Sequence, residues 1–406
     1  ADDATRIKYA SKYASVANYW KKWIGETKGL KKSNAVAKKQ QYESSLVAKN
    51  PEIKSTLSEF NSLYNEQAPF ALNNAYYTEI LRNAETLTLA NLFYGFVKSY
   101  EAGKADEKLV NSFKNKLSAF YKDYDGELDA KVTAKLLALY ANKTQPKFLP
   151  QGFEQFKDVN QNLQVLENWS KNSVISGRNS VNGATTYSDI NKVFSNLSEL
   201  VKTVKADPIF LTLTNMKETY FAKADNQFMS LQDKIDALQK KYITEMMSAD
   251  KDRKFFPDAN STLRVTYGKV KGSNPADAIS YHYETTLDGV MEKYVPGDYE
   301  FDVPQKLIEL YNSKDYGTYK NAAGKIPLAF TATNHTTGGN SGSPALDANG
   351  NLVGLNFDRQ WEGTMSDINY DPRFSRNIMV QTKYILFIID KFANAKWLLN
   401  EMKIVK

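Results

Sequence analysis

The sequence predicts an α+β protein in which a large helical part is followed by a smaller strand-rich part. From Asp3 to about Asp252, apolar residues return every three or four positions, which is typical of amphipathic helices. After Pro257 the pattern changes to short alternating runs of apolar and polar residues, which is typical of strands. Because helices and strands occupy separate parts of the chain, we expect an all-helical domain at residues 1–252 and a strand-rich domain at residues 253–406.

The helical part contains recognisable helix starts. Asn50 and Asp207 each precede a proline, which predicts an N-cap followed by proline at the first helical position. Ser188, just before the run DINKVFSNLSELV, is a third expected cap. The preceding segment NSVISGRNSVNGATTYSD is small, polar and rich in Gly and Asn, so it predicts a loop.

The strand-rich part divides into successive runs. The predicted strands lie in STLRVTYGKVKG, KIPLAFTATN, PALDANGNLVGLNFD and RNIMVQT. Within the third run, DANGN supplies the Asn-Gly pair of a tight hairpin turn. The last apolar segment, KYILFIIDKFANAKWLLNEM, predicts a C-terminal helix.

Composition excludes several classes of site. The formal net charge is +7, but 53 basic and 46 acidic residues are interspersed, and no basic stripe with a reading motif for nucleic acid is present. The absence of cysteine excludes disulfides and thiolate sites, and two histidines without a calcium-loop or phosphate-loop motif predict no metal or cofactor. No run approaches the ~18 apolar residues of a membrane span, so no membrane partner is expected.

The stretch GGNSGSP, Gly338–Pro344, is the candidate catalytic loop. Its glycines flank Ser341 where the backbone must turn sharply and present amide hydrogens. Ser341 would be the nucleophile, and the backbone N–H groups of Gly339 and Ser341 could form an oxyanion hole. An ordinary glycine-rich hairpin loop accounts for the same residues, because Gly, Asn and Ser are common in turns. The loop alone therefore leaves both interpretations open.

Its context extends the argument. GGNSGSP resembles the GDSGGP signature of chymotrypsin-like peptidases, with Asn340 and Ser343 at the positions that differ. From FFPDANSTLRVTYGKV to YILFIIDKF, and including ASVANYWKKW, the chain resembles the bacterial dipeptidyl-peptidase 7 and 11 family over essentially its whole length. The resemblance implies the second β-barrel of a chymotrypsin-like double barrel, with a helical cap domain inserted before it. It also implies release of dipeptides from peptides with a free N-terminus, by a periplasmic homodimer.

The substrate-binding residues are also implied by this resemblance. In the family, the enzyme residue that follows NFD indicates the substrate preference. Gly at this position accompanies substrates with a bulky apolar residue on the amino side of the scissile bond, whereas Arg accompanies substrates with Asp or Glu there. Here the residue is Arg359, whose guanidinium can fork onto a carboxylate, so the acidic type 11 is the closer match. Asp358 and Asn18 match the residues that hold the substrate's α-ammonium group, and Phe357 is expected to line the cleft. A surface Arg, an exposed helical Asn and a core Phe are the simpler alternatives.

The general base is missing from this arrangement. Chymotrypsin-like enzymes place His and Asp before Ser in the chain. His282 lies in AISYHYETT, which does not match the family's catalytic motif, and His335 is more simply a polar residue that braces the loop. No strand-rich segment precedes Asp3, so we expect a C-terminal portion that lacks the first barrel.

Such a portion should be inactive alone, since removal of a triad member costs on the order of 10⁴ to 10⁶ in turnover. The alternative is a non-catalytic protein with a degenerate barrel that binds acidic peptides through Arg359.

Overall fold

The computed structural model describes residues 3–177, 179–256, 261–298 and 300–405, with the backbone alone at Asp3. The chain divides into two compact units, of which the first comprises residues 1–13 and 45–255 and the second residues 14–44 and 256–406. Arg178 of the predicted loop, and Pro257 at the start of the predicted strand-rich part, lie outside the described residues.

The first unit is helical. The helices in this part of the chain are α1 (Asp3–Lys32), α2 (Ala35–Lys49), α3 (Ile53–Asn83), α4 (Glu85–Glu101), α5 (Glu107–Lys122), α6 (Gly126–Lys143), α7 (Val159–Asn172), α8 (Ile190–Val193), α9 (Leu197–Lys205), α10 (Pro208–Tyr220) and α11 (Asn226–Ala249). The boundaries between the two units fall within α1 and α2. Aromatic rings of Phe93, Phe96 and Phe113 pack together in its buried core, with the Phe96 and Phe113 rings stacked 4.5 Å apart. Across the described ranges, no helix combines the length and apolar character that a membrane crossing requires.

The structure confirms one of the predicted helix starts and changes the other two. Asp207 caps α10 as expected, because its carboxylate accepts a hydrogen bond from the second residue of the helix while Pro208 occupies the first position. The expected cap at Ser188 is wrong by one residue, since the Asp189 side chain accepts the N–H of Lys192 and caps α8. Asn50 accepts a hydrogen bond from Glu52 in a turn that precedes α3, so the turn separates the proline from the helix.

The second unit contains the strands. They are β1 (Ser273–Ala276), β2 (Ile279–Tyr281), β3 (Glu284–Thr286), β4 (Pro327–Ala332), β5 (Pro344–Leu346), β6 (Leu352–Arg359) and β7 (Asn377–Gln381), with helices α12 (Asp288–Met291), α13 (Gln305–Ser313), α14 (Thr382–Phe387) and α15 (Lys396–Leu399). β1 and β2 form an antiparallel ribbon, and the other strands form an antiparallel sheet in the order β3-β4-β7-β6-β5. The combination of a helical part with a later strand-rich part is confirmed. Since β3 and β5 do not pair within the described residues, closure into a barrel stays a prediction.

Two local predictions are corrected in this unit. The run STLRVTYGKVKG was expected to be a strand, but the structure assigns no strand there, and Leu263 and Tyr267 are 97% and 92% exposed. Only its end joins the sheet, where the Lys271 N–H donates to the Thr331 carbonyl at 3.0 Å. The C-terminal helix is split into α14 and α15, and Asn394 between them has a φ of +54°, which an α-helix does not tolerate.

The predicted domains and the observed units differ in one segment. Residues 14–44 belong with the strand-rich unit, although their helical period placed them in the predicted domain 1–252. Gly25 and Gly29 explain the association, because a side chain at either position would overlap Thr364 or Met365. Only glycine lets the α1 backbone pack this closely against the segment that follows β6.

Candidate active site

Residues 333–343, here called the serine loop, connect β4 to β5 and present Ser341 to solvent. The Ser341 hydroxyl donates one long hydrogen bond, of 3.4 Å, to the Phe357 carbonyl. Gly339 and Gly342 have φ values of +99° and +85°, in the region that favours glycine. A Cβ at either position would have no neighbour within 4 Å, so the glycines serve backbone conformation and not space. The result is an accessible hydroxyl on a sharply turned loop.

The serine loop also carries free backbone donors. Among the described residues, the N–H groups of Gly339 and Ser341 find no hydrogen-bond acceptor. The neighbouring N–H groups of Asn340, Gly342 and Ser343 donate to carbonyls at 3.2, 2.7 and 3.0 Å. Free donors beside an exposed hydroxyl can bind an oxygen on which negative charge develops. The sequence indicated these same two groups, and their catalytic role stays a prediction.

Two buried asparagines are hydrogen-bonded to each other and to the serine loop. Asn356 and Asn377 are 7% and 1% exposed, and the Asn377 amide donates to Asn356 Oδ1 at 2.8 Å. Asn356 Nδ2 in turn donates to the Asn340 carbonyl at 3.2 Å. That carbonyl belongs to the planar trans peptide whose N–H is that of Ser341, so fixing one end fixes the other. The asparagine pair therefore orients the Ser341 N–H.

The end of β6 carries three predicted residues in succession. The pairing with β7 shifts register between Asn356 and Asp358, which makes Phe357 the extra residue of a β-bulge. Phe357 is 49% exposed, so it is not a core residue, and its carbonyl receives the Ser341 hydroxyl. Asp358 Oδ1 accepts the Arg359 backbone N–H at 2.7 Å, whereas Oδ2 has no hydrogen bond within the described part of the chain. A carboxylate oxygen is therefore available next to the bulge.

Arg359 is held along one edge of its guanidinium. Nη1 donates to Asp367 Oδ1 at 2.7 Å and to Ser366 Oγ at 2.8 Å, and it lies 3.4 Å from the Thr336 carbonyl. Nη2 donates to Asp367 Oδ2 at 3.2 Å, which completes a two-point ion pair. Because Thr336 is part of the serine loop, the guanidinium is anchored to the segment that carries Ser341.

Asp367 joins Arg359 to helix α1. Lys22 Nζ lies 3.0 Å from Asp367 Oδ2, so the carboxylate bridges two cations. Burial alone would raise the pKa of Asp367, but the hydrogen bonds from Arg359 and Lys22 outweigh it and lower the pKa to about 2. The same contact with Asp367 raises the pKa of Lys22. Asp367 and Lys22 are therefore both charged at neutral pH.

The face of α1 that approaches this cluster includes Asn18. Lys22, Gly25 and Gly29 all contact the segment after β6, and their spacing of three and four residues defines one helix face. Asn18 lies four residues before Lys22 in the same uninterrupted helix and is exposed. It therefore lies one turn along this face from the ion pair with Asp367.

The predicted residues thus converge. Ser341 contacts the Phe357 carbonyl, Asp358 and Arg359 follow in the same strand, and Arg359 reaches back to the serine loop. Asn18 lies on the helix face that carries Lys22, one turn away from it. Placement of Ser341 and Arg359 on separate surfaces would have contradicted the interpretation, and the contacts of both residues with the same loop and strand exclude that separation.

Neither histidine is positioned as a base for Ser341. His335 Nε2 donates to the Ser366 carbonyl at 2.9 Å, so it braces the backbone next to Asp367. His282 Nδ1 accepts the Glu284 N–H at 3.2 Å, within its own strand connection. The structure records no hydrogen bond from either described ring to Ser341.

Sequence reasoning missed the supporting residues of the site. No motif in the sequence marks Asp367, Ser366, Asn356, Asn377 or Lys22 as part of a site. The one available signal was the acidic residue eight positions after Arg359, and that spacing predicts an ion pair only once the turn between them is known.

Comparison with known proteins agrees with the fold and with the family resemblance. A family model described as peptidase S46 matches residues 1–404. An Asp/Glu-specific dipeptidyl-peptidase of Flavobacterium psychrophilum is 45% identical over 416 residues, which cover 100% of this chain and 56% of that protein. A dipeptidyl-peptidase 7 of Phocaeicola vulgatus is 35% identical over 418 residues, covering 100% of this chain and 56% of the relative.

A solved structure gives the same result in three dimensions. Porphyromonas endodontalis DPP11 in complex with the dipeptide Arg-Glu superposes with a TM-score of 0.82 at 28% identity, covering 98% of this chain and 56% of that chain. The chain thus spans little more than half the length of the relatives that it matches. The family resemblance inferred from the sequence is confirmed, and the chain belongs to the peptidase S46 family.

Proposed function

We propose that this chain is the C-terminal portion of a serine dipeptidyl-peptidase that releases N-terminal dipeptides with Asp or Glu at the second position. The observation that carries the proposal is the exposed Ser341 hydroxyl beside the free N–H groups of Gly339 and Ser341, with Arg359 anchored to the same loop. The names of the relatives support the substrate class, since two that are each 45% identical are Asp/Glu-specific dipeptidyl-peptidases. The fold is proposed to be completed as a chymotrypsin-like double barrel.

In the proposed reaction, Ser341 Oγ attacks the carbonyl carbon of the second residue of the peptide. The hydroxyl proton passes to a general base, and the carbonyl oxygen becomes an oxyanion that the two free N–H groups bind. Collapse of this intermediate expels the amine of the third residue, which takes a proton from the base. Water then hydrolyses the ester on Ser341 and releases the dipeptide.

Recognition of the peptide's N-terminus is assigned to Asp358 and Asn18. The free Oδ2 atom of Asp358 can accept a hydrogen bond from an α-ammonium group, and the Asn18 amide oxygen can accept another. Such a pair would confine cleavage to one distance from the N-terminus, which is what distinguishes an exopeptidase from an endopeptidase. Phe357, half-exposed at the bulge, is proposed to contact the peptide between these groups and Ser341.

The general base and its orienting acid are proposed to lie outside this chain, in a first barrel. His335 and His282 make other hydrogen bonds, and the relatives are nearly twice as long as the aligned region. The chain alone is therefore expected to be inactive.

The test compares two proteins and three substrates. The protein expressed from its complete coding sequence should hydrolyse a fluorogenic dipeptidyl substrate with Glu at the second position faster than the matched Gln and Leu substrates. The 406-residue chain alone should hydrolyse none of them above the buffer rate. Equal rates for Glu and Gln, or full activity of the chain alone, would contradict the proposal.

A serine-directed phosphonofluoridate distinguishes the enzyme from the peptide-binding alternative. An enzyme should be labelled at Ser341, whereas a binding protein with a degenerate site should remain unlabelled while still retaining acidic peptides.

Location and assembly are proposed from the family resemblance alone. We propose a periplasmic homodimer, which cell fractionation and analytical ultracentrifugation of the complete protein would test.

A further inference from the structure

The Arg359 guanidinium is occupied on one edge and free on another. Its Nη1 and Nη2 atoms donate to both carboxylate oxygens of Asp367, and Nη1 also donates to Ser366 Oγ. Asp367 is therefore the main partner of the residue that the proposed function assigns to the substrate's acidic side chain. An acidic substrate must either displace Asp367 or bind elsewhere on the guanidinium.

A count of donors decides between these two modes. A guanidinium has five N–H groups, of which Nη1 and Nη2 carry two each and Nε carries one. The recorded bonds use both N–H groups of Nη1 and one of Nη2. Nε and the second N–H of Nη2 have no acceptor among the described residues. These two groups point the same way and form a second fork, which matches a carboxylate with two parallel hydrogen bonds.

Displacement of Asp367 would be costly. Its carboxylate is largely covered, with a side-chain exposure of 18%, and loss of Arg359 would leave it with Lys22 as its recorded ion-pair partner. Lys22 is itself shared with Glu26 at 3.6 Å, so it does not fully replace the guanidinium. A partly covered carboxylate that loses the closer of its two cations is destabilised. Binding at the free fork avoids this cost because Asp367 keeps both of its cations.

We propose that Asp367 is a positioning residue for substrate specificity, which fixes Arg359 from one edge so that the Nε and Nη2 fork receives the substrate carboxylate. Ser366 assists by accepting the remaining Nη1 hydrogen, and Lys22 holds the second side of Asp367. The inference rests on the proposed function, since it requires that Arg359 binds the acidic side chain. It adds that the specificity element is the pair of Arg359 and Asp367 together and not the arginine alone.

The test uses the protein expressed from its complete coding sequence. The substitution Asp367→Asn keeps the size of the side chain but removes the charge and replaces one acceptor oxygen with a donor group. Without its two-point anchor, the guanidinium samples other rotamers, and the fork is in place for only a fraction of the time. We expect kcat/KM for the Glu substrate to fall by about 10- to 100-fold, the range for loss of hydrogen bonds to charged groups, mainly through KM. The value for the matched Gln substrate should stay within about 3-fold, since that substrate does not use the charge.

A milder variant keeps the inference testable if Asp367→Asn fails to fold. Ser366→Ala removes one acceptor from Nη1 without changing any charge. It should lower the preference for Glu over Gln by roughly 5-fold, the size of one ordinary hydrogen bond. Asp315→Asn is the matched control, because it breaks the exposed 2.6 Å ion pair with Lys391 in the same unit. That control should leave the ratio of the two rates at the wild-type value.

The possible results separate the inference from the proposed function. An unchanged ratio of Glu to Gln rates in Asp367→Asn and Ser366→Ala overturns the inference alone. A higher ratio in Asp367→Asn also overturns it, because this would show that Asp367 competes with the substrate for the arginine. If the wild-type protein hydrolyses no dipeptidyl substrate, the proposed function itself fails.

Discussion

The asparagine pair beneath the serine loop gives the sharpest link between packing and catalysis. Asn356→Ala removes the amide that holds the Asn340 carbonyl and also removes the acceptor of the Asn377 amide. The Asn340 carbonyl keeps a second hydrogen bond, from the Ser343 N–H at 3.0 Å, so losing the first costs about 1 kcal/mol. Asn377 Nδ2 is left unpaired in a residue that is 1% exposed, which costs about 1–3 kcal/mol more. We therefore expect the free energy of unfolding of the second unit to fall by about 2–4 kcal/mol.

Urea titration followed by tryptophan fluorescence measures this change. Four of the five tryptophans report on the second unit, namely Trp20, Trp23, Trp361 and Trp397. In the complete protein, kcat should also fall by about 10-fold, less than the 10²- to 10³-fold loss that follows complete removal of an oxyanion donor.

A double-mutant cycle provides the decisive control. Asn377→Ala alone leaves Asn356 Oδ1 without a donor, whereas the double variant leaves neither amide unpaired. The double variant should therefore be about 1–3 kcal/mol more stable than the sum of the two single effects predicts. Additive effects, within about 0.5 kcal/mol, would show that the two asparagines do not depend on each other, and a kcat of wild-type size in Asn356→Ala would show that the pair does not orient the Ser341 N–H.

Three further predictions follow from the same geometry. Ser341→Ala should abolish activity in the complete protein yet leave thermal unfolding unchanged, since its hydroxyl is exposed and makes one 3.4 Å bond; a destabilised variant would contradict this. Gly25→Ala should lower the unfolding temperature and impair activity, because its Cβ would overlap Thr364, whereas Gly95→Ala in open space within α4 should stabilise the fold by about 0.5–1 kcal/mol. Asp367 has a lowered pKa of about 2, so its ion pairs stabilise the native state fully above about pH 5 and lose their effect as the pH falls towards 2. The difference in free energy of unfolding between wild type and Asp367→Asn, measured across this range, should therefore shrink on acidification. A difference that grows would contradict a lowered pKa for Asp367.

The sequence was most informative where local chemistry determines the fold. The turn between β5 and β6 is an example, because Asp347 accepts the N–H groups of Asn349 and Asn351 and Gly350 has a φ of +79°. The alternation on either side of this turn then specifies two strands. By contrast, β1, β2 and β3 are only three or four residues long, too short for a period to be recognised.

The residues of the site also differ in whether neighbouring residues in the sequence reveal them. Ser341 and Gly339 could be identified because the chemistry of the loop is contained in consecutive residues. Asp367 and Lys22 could not, since 345 positions separate them and only the close packing at Gly25 brings them together. The exposed alternating run at residues 261–268 shows the opposite error, since its pattern is typical of a strand but the structure assigns no strand there.

A labelling experiment can identify the nucleophile and the side-chain preference in one assay. A dipeptidyl phosphonate with a Glu side chain at the second position, and its Gln counterpart, are reacted with the complete protein, and the modified residue is identified by peptide mapping. We expect the Glu compound to modify Ser341 faster than the Gln compound does, and Arg359→Gly to remove the difference in rate. Modification of another residue, or equal rates for the two compounds in the wild-type protein, would contradict this expectation.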